Sequence, residues 1–161
     1  MLYLLYALIS FATATQLPVW HEVPSVVICP NSSVTVHRAE TAVKYWKKLG
    51  HKIGPVRKAD ATYMPCISGE PFTGTIIIDI PSSGFNFSQQ LGVTLTTYDA
   101  FTYEIYHAKI EILDNWASTE RLLEHELGHA LGFRDIKIKG HMMNHEWMSG
   151  GYDSKGLKNG V

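Results

Sequence analysis

The sequence predicts an α+β fold, a β-sheet with helices packed on it, followed by an irregular C-terminal stretch. Three observations carry this expectation. Thr75-Ile76-Ile77-Ile78-Asp79-Ile80 is nearly continuous in β-branched residues, the mark of a strand buried on both faces. Two other stretches space their apolar residues by three and four, as amphipathic helices do. Beyond Gly132, glycines at 140, 150, 151, 156 and 160 leave no convincing helical or strand period.

Taken in chain order, Ser25-Val26-Val27-Ile28-Cys29 is a short β-rich run stopped by Pro30 and Asn31. Ala39, Ala42, Val43, Trp46 and Leu49 form one helical stripe, and Gly50 is its natural stop. The Thr75–Ile80 strand ends at Pro81, and the residues to Gln90 read as a loop. Gly92-Val93-Thr94-Leu95-Thr96 reads as a short strand at a sheet edge. Tyr106, Ala108, Ile110 and Ile112 alternate with His107, Lys109 and Glu111, which predicts a half-buried strand. Asp114-Asn115 breaks it, and Ser118 or Thr119 is expected to cap a helix running through Leu122, Leu123, Leu127 and Ala130 to Gly132.

Hydrophobic residues make up 45% and charged residues 18%, which fits a globular chain and excludes disorder as its main state. A formal charge of −1 gives no electrostatic case for nucleic acid or an anionic membrane surface as partner. A monomer without a stable membrane partner is the expectation. Residues 1–14 form an uncharged apolar run too short to span a bilayer, and Ala12-Thr13-Ala14 places small residues where a signal peptidase cuts. The chain is therefore expected to be secreted, with residues 15–161 as a single domain; an uncleaved anchor or an apolar strand is the alternative. The stretch between Ala14 and the first strand leaves no room for a large propeptide. In an exported protein, Cys29 and Cys66 suggest one disulfide. Pro65-Cys66 also admits a thiolate that plugs a metal site and keeps an enzyme latent. Asn31-Ser32-Ser33 and Asn86-Phe87-Ser88 match the glycosylation sequon.

The chemistry concentrates in the last helix, where His125-Glu126-Leu127-Gly128-His129 reads HExxH. Residues four apart on a helix differ by about 40° in azimuth, so both imidazoles leave one face a turn apart. Tetrahedral Zn²⁺ accepts two nitrogens at that bite, with bonds of roughly 2.0–2.1 Å. Glu126, about 100° round the helix from His125, reaches past the ligands toward an attacking water and can take its proton. Gly132 lets the chain reverse, and Asp135 three residues on can close the third corner. Chance yields this longer pattern roughly 10⁻⁴ times per chain of this composition, so coincidence is a poor account of it. Glu146 on a downstream helix and His141 are alternative third ligands, and a buried structural role for His125 and His129 is the plainest rival.

The run from His125 to Asp135 resembles the metzincin zinc-peptidase signature HExxHxxGxxH, with Asp in the place of the third His, as in the small snapalysin type. His141-Met142-Met143-Asn144 is similar to the family's Met-turn, and Met143 follows Asp135 at a separation similar to that of matrix metalloproteinases. The resemblance covers about Ile110 to Glu146; upstream it rests on element order. It implies a twisted mixed sheet with helices and an antiparallel edge strand, an upper subdomain to about residue 132 and a small lower one over 133–161. It further implies one catalytic Zn²⁺ on His125, His129 and Asp135, with Glu126 as general base and acid and Met143 as the floor of the site. The implied activity is hydrolysis of protein or peptide substrates bound extended along the Gly92–Thr96 strand. Astacins and serralysins carry a Tyr two residues after that Met, which stabilises the oxyanion. His145 stands there in this chain, as an oxyanion donor, a displaceable fifth ligand or a plain surface residue. An anionic Asp135 lowers the net charge of the site by one relative to three His, which is expected to acidify the attacking water less. A secreted metal-binding module without turnover is the competing function; retention of Glu126, which metal binding alone does not need, argues for the enzyme.

Overall fold

The structure, a computed structural model, describes residues 17–82 and 90–159. The expected export signal and the Asn86 sequon lie outside these residues. Strands β1 (Val19–Trp20), β2 (Ser25–Ile28), β3 (Val56–Lys58), β4 (Thr75–Asp79), β5 (Gly92–Tyr98) and β6 (Glu104–Ile112) form one sheet. Helices α1 (Val36–Lys48), α2 (Met64–Ser68) and α3 (Leu122–Ala130) accompany it, with short 3-10 turns at Asp114–Trp116 and Trp147–Ser149. The sheet runs β1-β6-β4-β2-β3 with every neighbour parallel, and β5 adds to β6 antiparallel. The fold is thus a mixed, mostly parallel α/β sheet.

The centre of the sheet follows from the sequence. Ile76, Ile77 and Ile78 are fully buried because β4 has a strand on each side and packed side chains above and below. On one face Val26, Ile28, Ile76, Ile78, Ala108 and Ile110 meet the apolar stripes of α1 and α3. On the other, Val27, Cys29, Ala59 and Ile77 meet Tyr63 and Cys66. There Cys29 and Cys66 form a disulfide that ties the end of β2 to α2. Cys66 therefore offers no thiolate to a metal site.

Two local expectations are corrected. The alternation of β6 breaks at Tyr106: Thr97 pairs with His107 but Tyr98 with Ile105, so the chain carries one extra residue there. That bulge turns Ile105 into the core and leaves Tyr106 exposed. Neither Ser118 nor Thr119 caps α3. The residue before the helix is Arg121 in a left-handed conformation (φ 66°), without a side-chain cap. Its guanidinium lies 4.3 Å over the Trp147 ring and donates to the Trp147 carbonyl at 3.0 Å. These contacts hold a backbone conformation that costs about 1–2 kcal/mol for a residue with a Cβ.

Helix α1 fixes α3 in place. Thr35 caps α1 by accepting from the Arg38 N–H at 3.1 Å. Arg38 then forks onto both oxygens of the buried Glu124 carboxylate and onto the Thr119 carbonyl at 3.0 Å. Trp46, fully buried, donates its indole N–H to the Glu124 carbonyl at 2.8 Å and stacks on Phe133 with ring centres 5.3 Å apart. From the other end, Trp20 donates to the Ala130 carbonyl at 2.8 Å. The helix bearing the HExxH pattern is held at both ends and along one side. Among the described residues no helix is long and apolar enough to cross a membrane.

Candidate metal centre

His125 and His129 leave α3 one turn apart, with ring centres at 4.7 Å and planes nearly perpendicular. Their Nε2 atoms are 3.1 Å apart. Asp135 Oδ1 lies 3.3 Å from each. It reaches that point because Gly132 takes φ +96°, a conformation open to glycine, and presses against the Pro18 carbonyl where no Cβ would fit. The three atoms form a nearly equilateral triangle. A tetrahedral ion with bonds of roughly 2.0–2.1 Å sets its ligand atoms about 3.3–3.4 Å apart, so the triangle matches one face of such a site.

The protonation of the rings supports the same fit. His125 Nδ1 sits 2.9 Å from the Met142 carbonyl, and His129 Nδ1 sits 2.9 Å from the Phe133 carbonyl. Carbonyls only accept, so each Nδ1 must carry a proton, and in its neutral form each ring turns an Nε2 lone pair inward. Two lone pairs and a carboxylate oxygen then face one another, an arrangement only a cation or a proton relieves. The titration of the metal-free chain reflects this. Burial disfavours the charged His125, but its hydrogen bond to Asp135, the Glu126 charge and the Met142 carbonyl raise its pKa overall. The hydrogen bond to His125 holds Asp135 below the usual carboxylate value, against burial and with help from both imidazoles. The donor set, two imidazoles and one carboxylate, suits a borderline ion such as Zn²⁺.

Glu126 is buried beside the cluster, and burial raises its pKa against the pull of His125, Thr94 and His129. Met143 lies fully buried against α3, its sulfur packed close to Gly128. The turn expected at His141–Asn144 is present, closed by the Asn144 N–H on the His141 carbonyl at 3.2 Å. It presents the Met142 carbonyl to His125.

Neither alternative third ligand reaches the site. His141 is buried with both nitrogens engaged, Nε2 against the Lys155 carbonyl at 2.9 Å and Nδ1 accepting from the Met143 N–H at 3.0 Å. Glu146 is exposed, accepts from Ser149 Oγ at 3.0 Å and lies on no α-helix. His145, exposed, lines the same cleft as His125, His129 and Asp135, with its Nε2 3.6 Å from Glu146.

The cleft holds about 500 Å³ and runs between β5 and the turn, with His125, Glu126, His129, Asp135 and Trp147 in its wall. Among the described residues β5 pairs with no strand but β6. Sequence reasoning missed Gly92 and Thr94, which touch Glu126, and Gly128, which admits Met143. Only the HExxH frame could have pointed to Gly128; nothing local marks the other two. No protein-family model matches the chain, and no curated protein matches it.

Proposed function

We propose that the chain is a zinc-dependent hydrolase and, within that class, a metzincin-like endopeptidase acting on extended peptides outside the cytoplasm. One observation carries the reading: the lone pairs of His125, His129 and Asp135 converge at 3.1–3.3 Å in a cleft whose wall also holds a buried glutamate. The element order, with an antiparallel strand at the sheet edge beside α3, supports the narrower class. The apolar residues 1–14 and the disulfide support export.

His125, His129 and Asp135 would hold a zinc ion, which would supply Lewis acidity toward the scissile carbonyl and a water. Glu126 takes the water's proton on its carboxylate and carries it to the leaving amine nitrogen. A carboxyl whose proton affinity is raised by burial suits both halves of that transfer. The outer edge of β5 binds the substrate main chain by β-addition. His145 donates a hydrogen bond toward the developing oxyanion. The test compares wild type and Glu126→Ala on an unfolded protein substrate, with zinc content measured in both. Cleavage by the wild type that a chelator abolishes, and its loss in a Glu126→Ala chain that keeps its zinc, is the expected result. Equal inactivity of two zinc-loaded chains would make this a binding module.

A further inference from the structure

The Glu126 side chain, beside the cluster, accepts a hydrogen bond from β5. Thr94 Oγ1 lies 2.7 Å from Glu126 Oε2 and 3.0 Å from the Glu126 main-chain oxygen, with a single proton to donate between them. At Gly92 a Cβ would come within 2.9 Å of Glu126 Oε1, 3.0 Å of its Cγ and 3.1 Å of its Cδ. Residues 92 and 94 share one face of the strand, so β5 grips one carboxylate oxygen with a hydroxyl and clears space for the other with a bare Cα.

We infer that Thr94 is a positioning residue that, with the slot left by Gly92, holds the Glu126 carboxylate in a single orientation for proton transfer. This rests on the peptidase reading and extends it. A carboxylate that must take a proton and hand it on has to stay within hydrogen-bond reach of both partners, and a displacement of about 1 Å costs roughly a hundredfold in rate. An unheld glutamate side chain rotates about three bonds. The grip comes from the strand along which the peptide would lie, so one element aligns both the scissile bond and its base. Thr96, two residues on, donates at 3.2 Å to the main-chain carbonyl of His129 and so contacts α3 without touching a reacting group.

The test uses the zinc-loaded full chain and a quenched peptide, measuring kcat and KM separately with zinc content and Tm. Thr94→Val should keep its zinc and its KM while kcat falls about 10- to 100-fold. Thr94→Ser, which restores the hydroxyl, should return kcat to within about threefold of wild type. Gly92→Ala should lower kcat in the same way with little change in Tm, because the atoms nearest its Cβ belong to the end of the Glu126 side chain; it decides the matter even if Thr94→Val fails to fold. A Thr94→Val or Gly92→Ala chain as fast as wild type overturns the inference, as does a serine variant as slow as the valine one. A wild type that cleaves nothing overturns the peptidase reading and the inference with it, which separates the two failures.

Discussion

Each imidazole of the cluster commits its Nδ1 proton to a main-chain carbonyl, Met142 for His125 and Phe133 for His129. The orientation of both rings is therefore set by backbone, and whatever moves that backbone moves the cluster. Gly128 is the most sensitive point. A Cβ there would run into the Met143 sulfur and lie 2.7 Å from Trp46 Cζ2, and both side chains are fully buried. Gly128→Ala should destabilise the chain by about 1–3 kcal/mol through overpacking and weaken zinc binding by displacing the Met142 carbonyl. Urea unfolding and a competitive chelator titration measure the two effects. An unchanged unfolding midpoint would mean that the Met143 turn yields freely. At this scale HExxH and the Gly132–Asp135 continuation were legible because the helical turn and a reversal dictate their spacing. Gly92 and Thr94 were not, since their partner lies more than thirty residues away in sequence and only the sheet brings them together.

Elements were legible in proportion to the apolar surface they bury. The α1 stripe and the β4 run hold the core, and both were read from period and composition. Strand β3 was missed: it has three residues, and Arg57 and Lys58 are exposed on the sheet's margin. Helix α2 was missed because it has little more than one turn, with a single buried residue, Pro65. The bulge in β6 cannot be seen in a strict alternation, because it changes register without changing composition. The disulfide was legible from cysteine count. It closes a loop with a sequence separation of 37 residues. Loop entropy assigns such a cross-link roughly 4 kcal/mol. Replacing both cysteines by alanine should cost about that much stability in denaturant unfolding. Zinc affinity should stay unchanged, since the bond packs in a different cluster from the ligands. Loss of zinc at native conditions in that variant would contradict the separation.

At the scale of the whole molecule, charge is nearly balanced, and the pH response comes from a few buried groups. Asp79 ends β4 directly opposite Glu111 of β6, whose carboxylate pairs with Lys109 at 2.8 Å. Burial raises the Asp79 pKa, with the Glu111 charge adding to it, against the Ile80 N–H and Lys109. A raised carboxyl binds its proton more tightly in the folded state, so its contribution to stability is present below the ordinary value of 3.8 and lost as pH rises through the folded value. Asp79→Asn should therefore melt higher than wild type at about pH 7, with the gap closing near pH 3. A variant less stable at neutral pH would show that the charge is favourable where it stands. The central claim is that His125, His129 and Asp135 form one cation site, and its most direct test is a zinc titration of the metal-free chain beside Asp135→Ala. One zinc per wild-type chain, with affinity falling about a hundredfold or more in Asp135→Ala, is the predicted result. Equal affinity in the two chains, or no binding by the wild type, would contradict it.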